Sequence, residues 1–215
     1  KRAKLRLFYE LANKGVAIIN ECVPKYKDFI EAAKINNLKI ITIGNSKSSN
    51  WKFKIINIHR AKQEIEVSYN NKKTVIFSKL IGEHQINNLI TSISILIEMG
   101  FKRQTVEDVI GKLKPPPGRL ELIKDNNDKK IYVDFAHTPD ALKNVLLSIR
   151  PYVNKKLYLI LGCGGDRDKG KRALMGKIAN NYADKIIITD DNPRYENPKS
   201  IRKQIIDFCP NSIEI

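Results

Sequence analysis

Cysteine, methionine and tryptophan are scarce in this chain of 215 residues, with three, two and one of each. The cysteines, Cys22, Cys163 and Cys209, are odd in number and form no C-x-x-C pair. That excludes a disulfide framework and a thiolate zinc site, and it points to a reduced, cytosolic protein. No stretch reaches the ~20 apolar residues of a membrane span, and the charged opening KRAKLRLF lacks the apolar segment of a signal peptide. Acidic residues are also few, 23 against 39 Lys and Arg, for a net charge of +16. Such an excess raises the question of nucleic acid. The basic residues are 29 Lys and 10 Arg, however, spread over every segment. Nucleic-acid sites cluster Arg or interleave aromatics along one stripe. The even spread argues for a solvated basic surface, whose field favours an anionic small molecule.

What is present, 42% hydrophobic residues, suffices for one large or two small cores. Residues 5–12 read as a helix end, broken by Gly15. Val16–Asn20 and Lys39–Ile43 read as strands around a helix at Tyr26–Ala33, and Phe53–Ile58, Glu64–Tyr69 and Thr74–Ser78 as further strands, the last two joined by an Asn70-Asn71 turn. Trp51 and its aromatic neighbours read as core, and His59 as a strand residue. From Gly82 to Gly100, Ile86, Leu89, Ile90, Ile93 and Ile97 recur at helical spacing. A second helix is expected from an N-cap at Thr105, carrying Val106, Val109, Ile110 and Leu113. Pro115-Pro116-Pro117-Gly118 then fixes φ and removes three donors, so a domain boundary falls there.

Beyond it strands and helices alternate. Strand Lys130–Phe135 leads to helix Pro139–Arg150 with Thr138 as N-cap, strand Leu157–Leu161 to helix Arg172–Ala183, and strand Lys185–Thr189 to helix Pro198–Phe208. Repeated β-α units predict a parallel, doubly wound sheet of three strands in a domain that looks cut short near Ile215. Ligands of such sheets bind at the carboxyl ends of the strands.

Two turns stand at those ends. Gly162–Arg172, G-C-G-G-D-R-D-K-G-K-R, is neither a dinucleotide fingerprint nor a G-x-x-x-x-G-K-[ST] phosphate loop. Its glycines allow close backbone approach, and Arg167 suits a bidentate pair with a carboxylate. Asp191–Arg194, D-N-P-R, offers acceptors for an ammonium and donors for a carboxylate; the plain alternative is an Asx-Pro turn capping the next helix. In Val133–Asp140, V-D-F-A-H-T-P-D, Asp134 and His137 stand at a third strand end. His137 reads either as a helix-entry residue or as a contact to ribose or phosphate.

Together G-E-H-Q-I-N-N (Gly82–Asn88), P-G-R-L-E (Pro117–Glu121), V-D-F-A-H-T-P-D-A-L (Val133–Leu142), G-C-G-G-D-R-D-K-G-K-R and D-D-N-P-R (Asp190–Arg194) resemble the Mur ligases, in the family's order and spacing over essentially the whole chain. Within the family the resemblance is to members that add meso-diaminopimelate to UDP-N-acetylmuramoyl-L-alanyl-D-glutamate. It implies an α/β fold in which residues 1–114 form part of a central ATP-binding domain, 115–118 a Pro-rich linker, and 119–215 a partial Rossmann-like, amino-acid-binding domain. It implies ATP and Mg2+, an acyl phosphate attacked by an amine, a soluble cytoplasmic monomer, and small-molecule substrates without nucleic acid or membrane. By position, Arg167, Asp191, Asn192, Pro193 and Arg194 match diaminopimelate contacts, and Asn88, Arg119, Asp134 and His137 match positions around the nucleotide. Lys4 in A-K-L-R-L-F matches the carbamylated lysine, whose carbamate supports magnesium without a direct protein ligand being identified. The chain departs from the family pattern by lacking the N-terminal uridine-nucleotide domain, a phosphate loop before Lys4 and a later Gly-Lys-Gly-His-Glu segment, and by Gln85 where Asn is usual. The expectation is a fragment inactive by itself. A diaminopimelate-binding remnant, a relative adding another amino acid, and a basic nucleic-acid module are the competing readings.

Overall fold

The computed structural model describes residues 2–11, 14–59, 62–126 and 129–215. They fall into two compact units, Lys1–Lys114 and Pro115–Ile215.

The first unit is a mixed five-stranded sheet flanked by helices. After α1 (Arg2–Arg6) and a π-helical turn (Leu7–Leu11), β1 (Val16–Asn20) runs through α2 (Tyr26–Ile35) into a parallel β2 (Lys39–Ile43). β2 meets β3 (Trp51–His59) in parallel at Ile43 and Trp51, and β3, β4 (Lys62–Tyr69) and β5 (Lys72–Ser78) form an antiparallel meander. Asn70 and Asn71 turn the last hairpin at φ of 48° and 59°, the left-handed pair a two-residue hairpin requires and that Asn tolerates best after Gly. The apolar stripe of α3 (Glu83–Glu98) lays Ile86, Leu89, Ile90 and Ile93 on Ile43, Trp51, Phe53, Ile65 and Val67 of the sheet. Each such fully buried side chain contributes about 1.5–3 kcal/mol.

The next helix, α4 (Arg103–Ile110), starts two residues before the expected Thr105 cap. Its N-cap is Lys102, without a side-chain bond. Arg103 instead reaches Thr74 Oγ1 at 2.8 Å and Glu107 Oε1 at 2.6 Å, which draws the first turn back. Val106 and Ile110 are buried as expected, while Val109 is exposed and Leu113 lies beyond the helix.

The second unit opens with a correction to the sequence pattern. β7 (Lys129–Val133) pairs antiparallel with β6 (Glu121–Asn126) rather than joining the parallel sheet. A neighbour so close along the chain is the pairing of least loop entropy. The strands that do build the parallel sheet are β8 (Tyr158–Leu161), β9 (Lys185–Ile188) and β10 (Ile213–Glu214), in the order β10-β9-β8. α5 (Pro139–Ile149) has Thr138 Oγ1 accepting from Ala141 N as its N-cap. α6 (Gly170–Tyr182) links β8 to β9 and α7 (Pro198–Ile206) links β9 to β10. Met175, Ala179, Ile201 and Ile205 bury the helix faces. A Cβ at Gly176 would stand 2.5 Å from the Ile205 carbonyl oxygen, so α6 and α7 touch where that residue has no side chain. Among the described residues no helix is long and apolar enough to cross a membrane.

Candidate functional site

The carboxyl ends of β8 and β9 carry the two turns singled out in the sequence, and the structure zips them together. Gly165 N donates to Asn192 O at 2.9 Å, Arg194 Nη1 to Gly165 O at 2.6 Å, Asp166 N to Glu196 Oε1 at 2.6 Å and Tyr195 N to Asp166 Oδ2 at 3.2 Å. Asp166 and Arg194 both sit in the left-handed region, at φ of 50°. The glycines are needed for proximity: a Cβ at Gly162 would lie 2.9 Å from Thr189 O, and one at Gly165 would overlap the Pro193 carbonyl.

Against these turns lies a cleft of about 450 Å³ lined by His137, Gly164, Arg167, Lys171, Asp191 and Arg194. Its volume is that of a small-molecule site. Arg167 has no partner among the described residues, and Lys171 donates to His137 O at 2.8 Å. His137 is exposed, and its Nδ1 lies 3.0 Å from Phe135 O. A carbonyl only accepts, so Nδ1 carries the hydrogen and a neutral ring offers the Nε2 lone pair as an acceptor. Three basic side chains and one carboxylate thus face a common space, an environment for a ligand with more than one carboxylate and an ammonium group.

The Asp191–Arg194 turn is held as an Asx turn: Arg194 N donates to Asn192 Oδ1 at 3.2 Å and Asn192 N to Asp191 Oδ1 at 2.7 Å. It does not cap the following helix; Asn197 does, through Lys199 N. The Asn192 and Pro193 carbonyls accept from Gly165 N and Glu196 N.

Of the residues matched to the nucleotide, Asp134 is a loop anchor in this unit. Its carboxylate accepts from Leu120 N at 2.8 Å and Ala136 N at 2.7 Å. The first bond holds Leu120, buried at φ 48°, in a conformation unusual for leucine. Arg119 is exposed over the Phe135 ring at 5.5 Å, and His137 shares the cleft with Arg167 and Arg194. Asn88 belongs to the first unit, exposed on α3 beside the buried Asn87, which accepts from Asn20 Nδ2 at 3.0 Å. Lys4 is exposed on α1. A second hollow, lined by Asn45, Phe53, Lys54, Ile55 and Glu83, contains none of the predicted residues.

Sequence reasoning missed Arg172 and Glu196. Arg172 stood in the sequence only as the end of the glycine-rich turn and the start of a helix, yet its side chain is fully buried at the start of α6. Its guanidinium makes a bidentate pair with Glu196, both bonds at 2.9 Å, and donates to Gln204 Oε1 at 3.0 Å and Gly164 O at 3.2 Å. Arg172 above all, then the Asp166 N–H, holds the Glu196 carboxyl down to about 2. Cys163 is buried in the same turn against Met175, and burial pushes its thiol up.

The mixed-sheet unit and the parallel β-α unit, with its cationic cleft at the strand ends, each match a domain of one protein family. The chain belongs to the Mur ligase family: the Mur ligase middle domain model matches residues 1–96, and the Mur ligase, glutamate ligase domain model matches residues 118–214. Among curated relatives it is similar to the UDP-N-acetylmuramoyl-L-alanyl-D-glutamate--2,6-diaminopimelate ligases of Mesorhizobium japonicum (41% identity, 100% of this chain, 44% of the relative) and Rickettsia typhi (42%, 95% of this chain, 41% of the relative). A solved structure of a ligase of that name is 33% identical, with a TM-score of 0.65 over 100% of this chain and 45% of its own. MurF from Acinetobacter baumannii shares the fold at 16% identity, with a TM-score of 0.80 over 99% of this chain and 45% of its own. The chain therefore spans less than half the length of the curated relatives it matches.

Proposed function

We propose that this chain supplies the middle and amino-acid-binding parts of an ATP-dependent amide-bond ligase of peptidoglycan synthesis, one that joins meso-diaminopimelate to UDP-N-acetylmuramoyl-L-alanyl-D-glutamate through an acyl phosphate. The observation that carries the reading is the cleft at the ends of β8 and β9, where Arg167, Lys171 and Arg194 stand with Asp191. Diaminopimelate has two carboxylates and two amines. Arg167 and Arg194 suit the carboxylates as bidentate donors, Asp191 suits the ammonium that does not react, and the Nε2 lone pair of His137 suits the proton that the attacking amine must lose. The names of the relatives at 41–42% identity support the same substrates.

ATP, when bound, supplies the phosphoryl group that activates the acceptor carboxylate. The residues here fit that role only in part. Asn88 and Arg119 are exposed and carry donors for a nucleotide, and the exposed His137 ring can stack on one, but the 215 residues contain no G-x-x-x-x-G-K-[ST] stretch to cradle a triphosphate. Among the described residues no group of three or more His, Cys, Asp or Glu could hold a metal ion. A carbamate on Lys4 would add an anion to α1 in support of magnesium. In this reading the protein acts as a monomer in the cytoplasm, on small molecules alone.

The deciding comparison is meso-diaminopimelate against L-lysine in the full-length ligase. The two differ by one carboxylate, and a cation built to pair it is left unmatched by lysine. Arg194→Ala should lower kcat/KM for diaminopimelate by roughly 2–4 kcal/mol of transition-state stabilisation and leave lysine far less affected. Equal losses for both amino acids would move the specificity away from Arg194.

A further inference from the structure

We propose that Arg172 and Glu196 are positioning residues for amino-acid selection, a buried fork that fixes the spacing between the Arg167 turn and the Arg194 turn. The inference rests on the functional reading above but names residues that touch no substrate. Arg172 belongs to α6, Gln204 to α7, Gly164 to the first turn and Glu196 to the segment just after Arg194, and one guanidinium bonds all three of the others. Glu196 passes the constraint on, since the Oε1 that meets Arg172 also accepts from Asp166 N at 2.6 Å, and Asp166 Oδ2 accepts from Tyr195 N. Asp166 and Tyr195 are the direct chain neighbours of Arg167 and Arg194. The side chains meant to read the substrate are thus each one residue from a point pinned by the fork.

The cost of this arrangement marks it as more than packing. Arg172 Nε is buried without a partner, and a buried unpaired polar atom is destabilising. An apolar pair of similar size would close the same space without that defect, and replacing buried ion pairs in this way is often neutral or stabilising. What an apolar pair lacks is direction. The planar fork admits one relative setting of the two turns, whereas apolar contact tolerates sliding. Two guanidiniums separated by a fixed span measure the distance between two carboxylates, and that distance separates diaminopimelate from shorter or singly charged amino acids.

The test uses the full-length ligase with Glu196→Gln, which keeps the shape and removes the charge, and Arg172→Lys, which keeps the charge and removes the fork. Both should raise KM for diaminopimelate about tenfold or more, leave kcat and KM for ATP near wild type, and narrow the preference for diaminopimelate over lysine. Unchanged KM and preference in either variant overturn the proposal. So does a fall in kcat with every KM, that for ATP included, raised alike and the melting temperature lowered, the signature of a merely structural pair. Should the wild-type protein show no diaminopimelate-dependent ADP release, the functional reading falls by itself, and amide hydrogen exchange then judges the fork. Loss of protection at 162–169 and 190–197 in Glu196→Gln supports it, and unchanged protection overturns it.

Discussion

Placing one methyl group at Gly165 gives the sharpest test of how the two turns are built. Gly165 is buried, and its alanine Cβ would overlap the Pro193 carbonyl oxygen, lie 2.6 Å from the carbonyl carbon and 3.3 Å from Glu196 Cβ. The obstacle is backbone, so no side-chain rotation relieves it. Restoring ordinary contact needs the turns to part by about 1.6 Å. Parting them strains or breaks the bond from Gly165 N to Asn192 O and that from Arg194 Nη1 to Gly165 O. A neutral hydrogen bond contributes about 1 kcal/mol and one to a charged group about 1.5–3 kcal/mol, while overpacking alone costs about 1–3 kcal/mol. The turns can relax by separating, which relieves the overlap but forfeits the bonds, so the expected cost is about 2–4 kcal/mol. In a unit of some 100 residues this lowers the melting temperature by more than about 8 °C. Thermal melting by circular dichroism, with Gly111→Ala as control, reads the effect directly; the nearest atom to a Cβ at Gly111 is Phe77 O at 4.0 Å. The same variant in the full-length ligase should weaken diaminopimelate more than ATP. A melt within about 2 °C of wild type, or an unchanged KM for diaminopimelate, would refute the claim that close approach of these turns shapes the cleft.

The 215-residue chain alone should release no ADP with either substrate present, because a triphosphate cradle is missing from its sequence; ADP release dependent on both substrates would contradict this. In the full-length ligase Lys4→Ala should abolish turnover, and short carboxylic acids in solution should restore part of it; near-normal kcat would leave Lys4 as an exposed helix residue. Glu196 is held at about 2 in the folded unit, below its ordinary 4.5, so its stabilising effect is present above the ordinary value and fades as pH falls toward 2. The urea midpoint of the second unit should drop over that window, and Glu196→Gln should flatten the drop; parallel curves for variant and wild type would disprove the assignment.

Legibility in the sequence followed periodicity. The stripe of α3 was visible because burial imposes a helical repeat, the strands at Leu157–Leu161 and Lys185–Thr189 because they are short apolar runs before turns, and the hairpin because of its Asn70-Asn71 turn. β6 was not, because five of its six residues are exposed, so no buried face writes an alternation into the sequence. The start of α4 escaped because its stabilising contact, Arg103 with Thr74, joins residues 29 apart. The site was half legible for a similar reason. Arg167 and Asp191–Arg194 stand in short motifs after strands, whereas Arg172 and Glu196, 24 residues apart, look like ordinary surface charges until the fold brings them into register. Asp134 drew attention by its place in a motif, and its carboxylate also accepts from Leu120 N and Ala136 N, contacts that the motif did not foretell.

The stacked pair in the first unit has a practical use. Trp51 lies face to face with Tyr69, ring centres 4.1 Å apart and planes 7° from parallel, with 1% of its surface exposed. It is also the sole tryptophan of the chain. Its emission is therefore a built-in, label-free optical gauge that reads the state of the first unit and is blind to the second. A denaturation followed at once by tryptophan emission and by far-ultraviolet ellipticity would resolve whether the two halves lose their structure as one cooperative body or in separate steps.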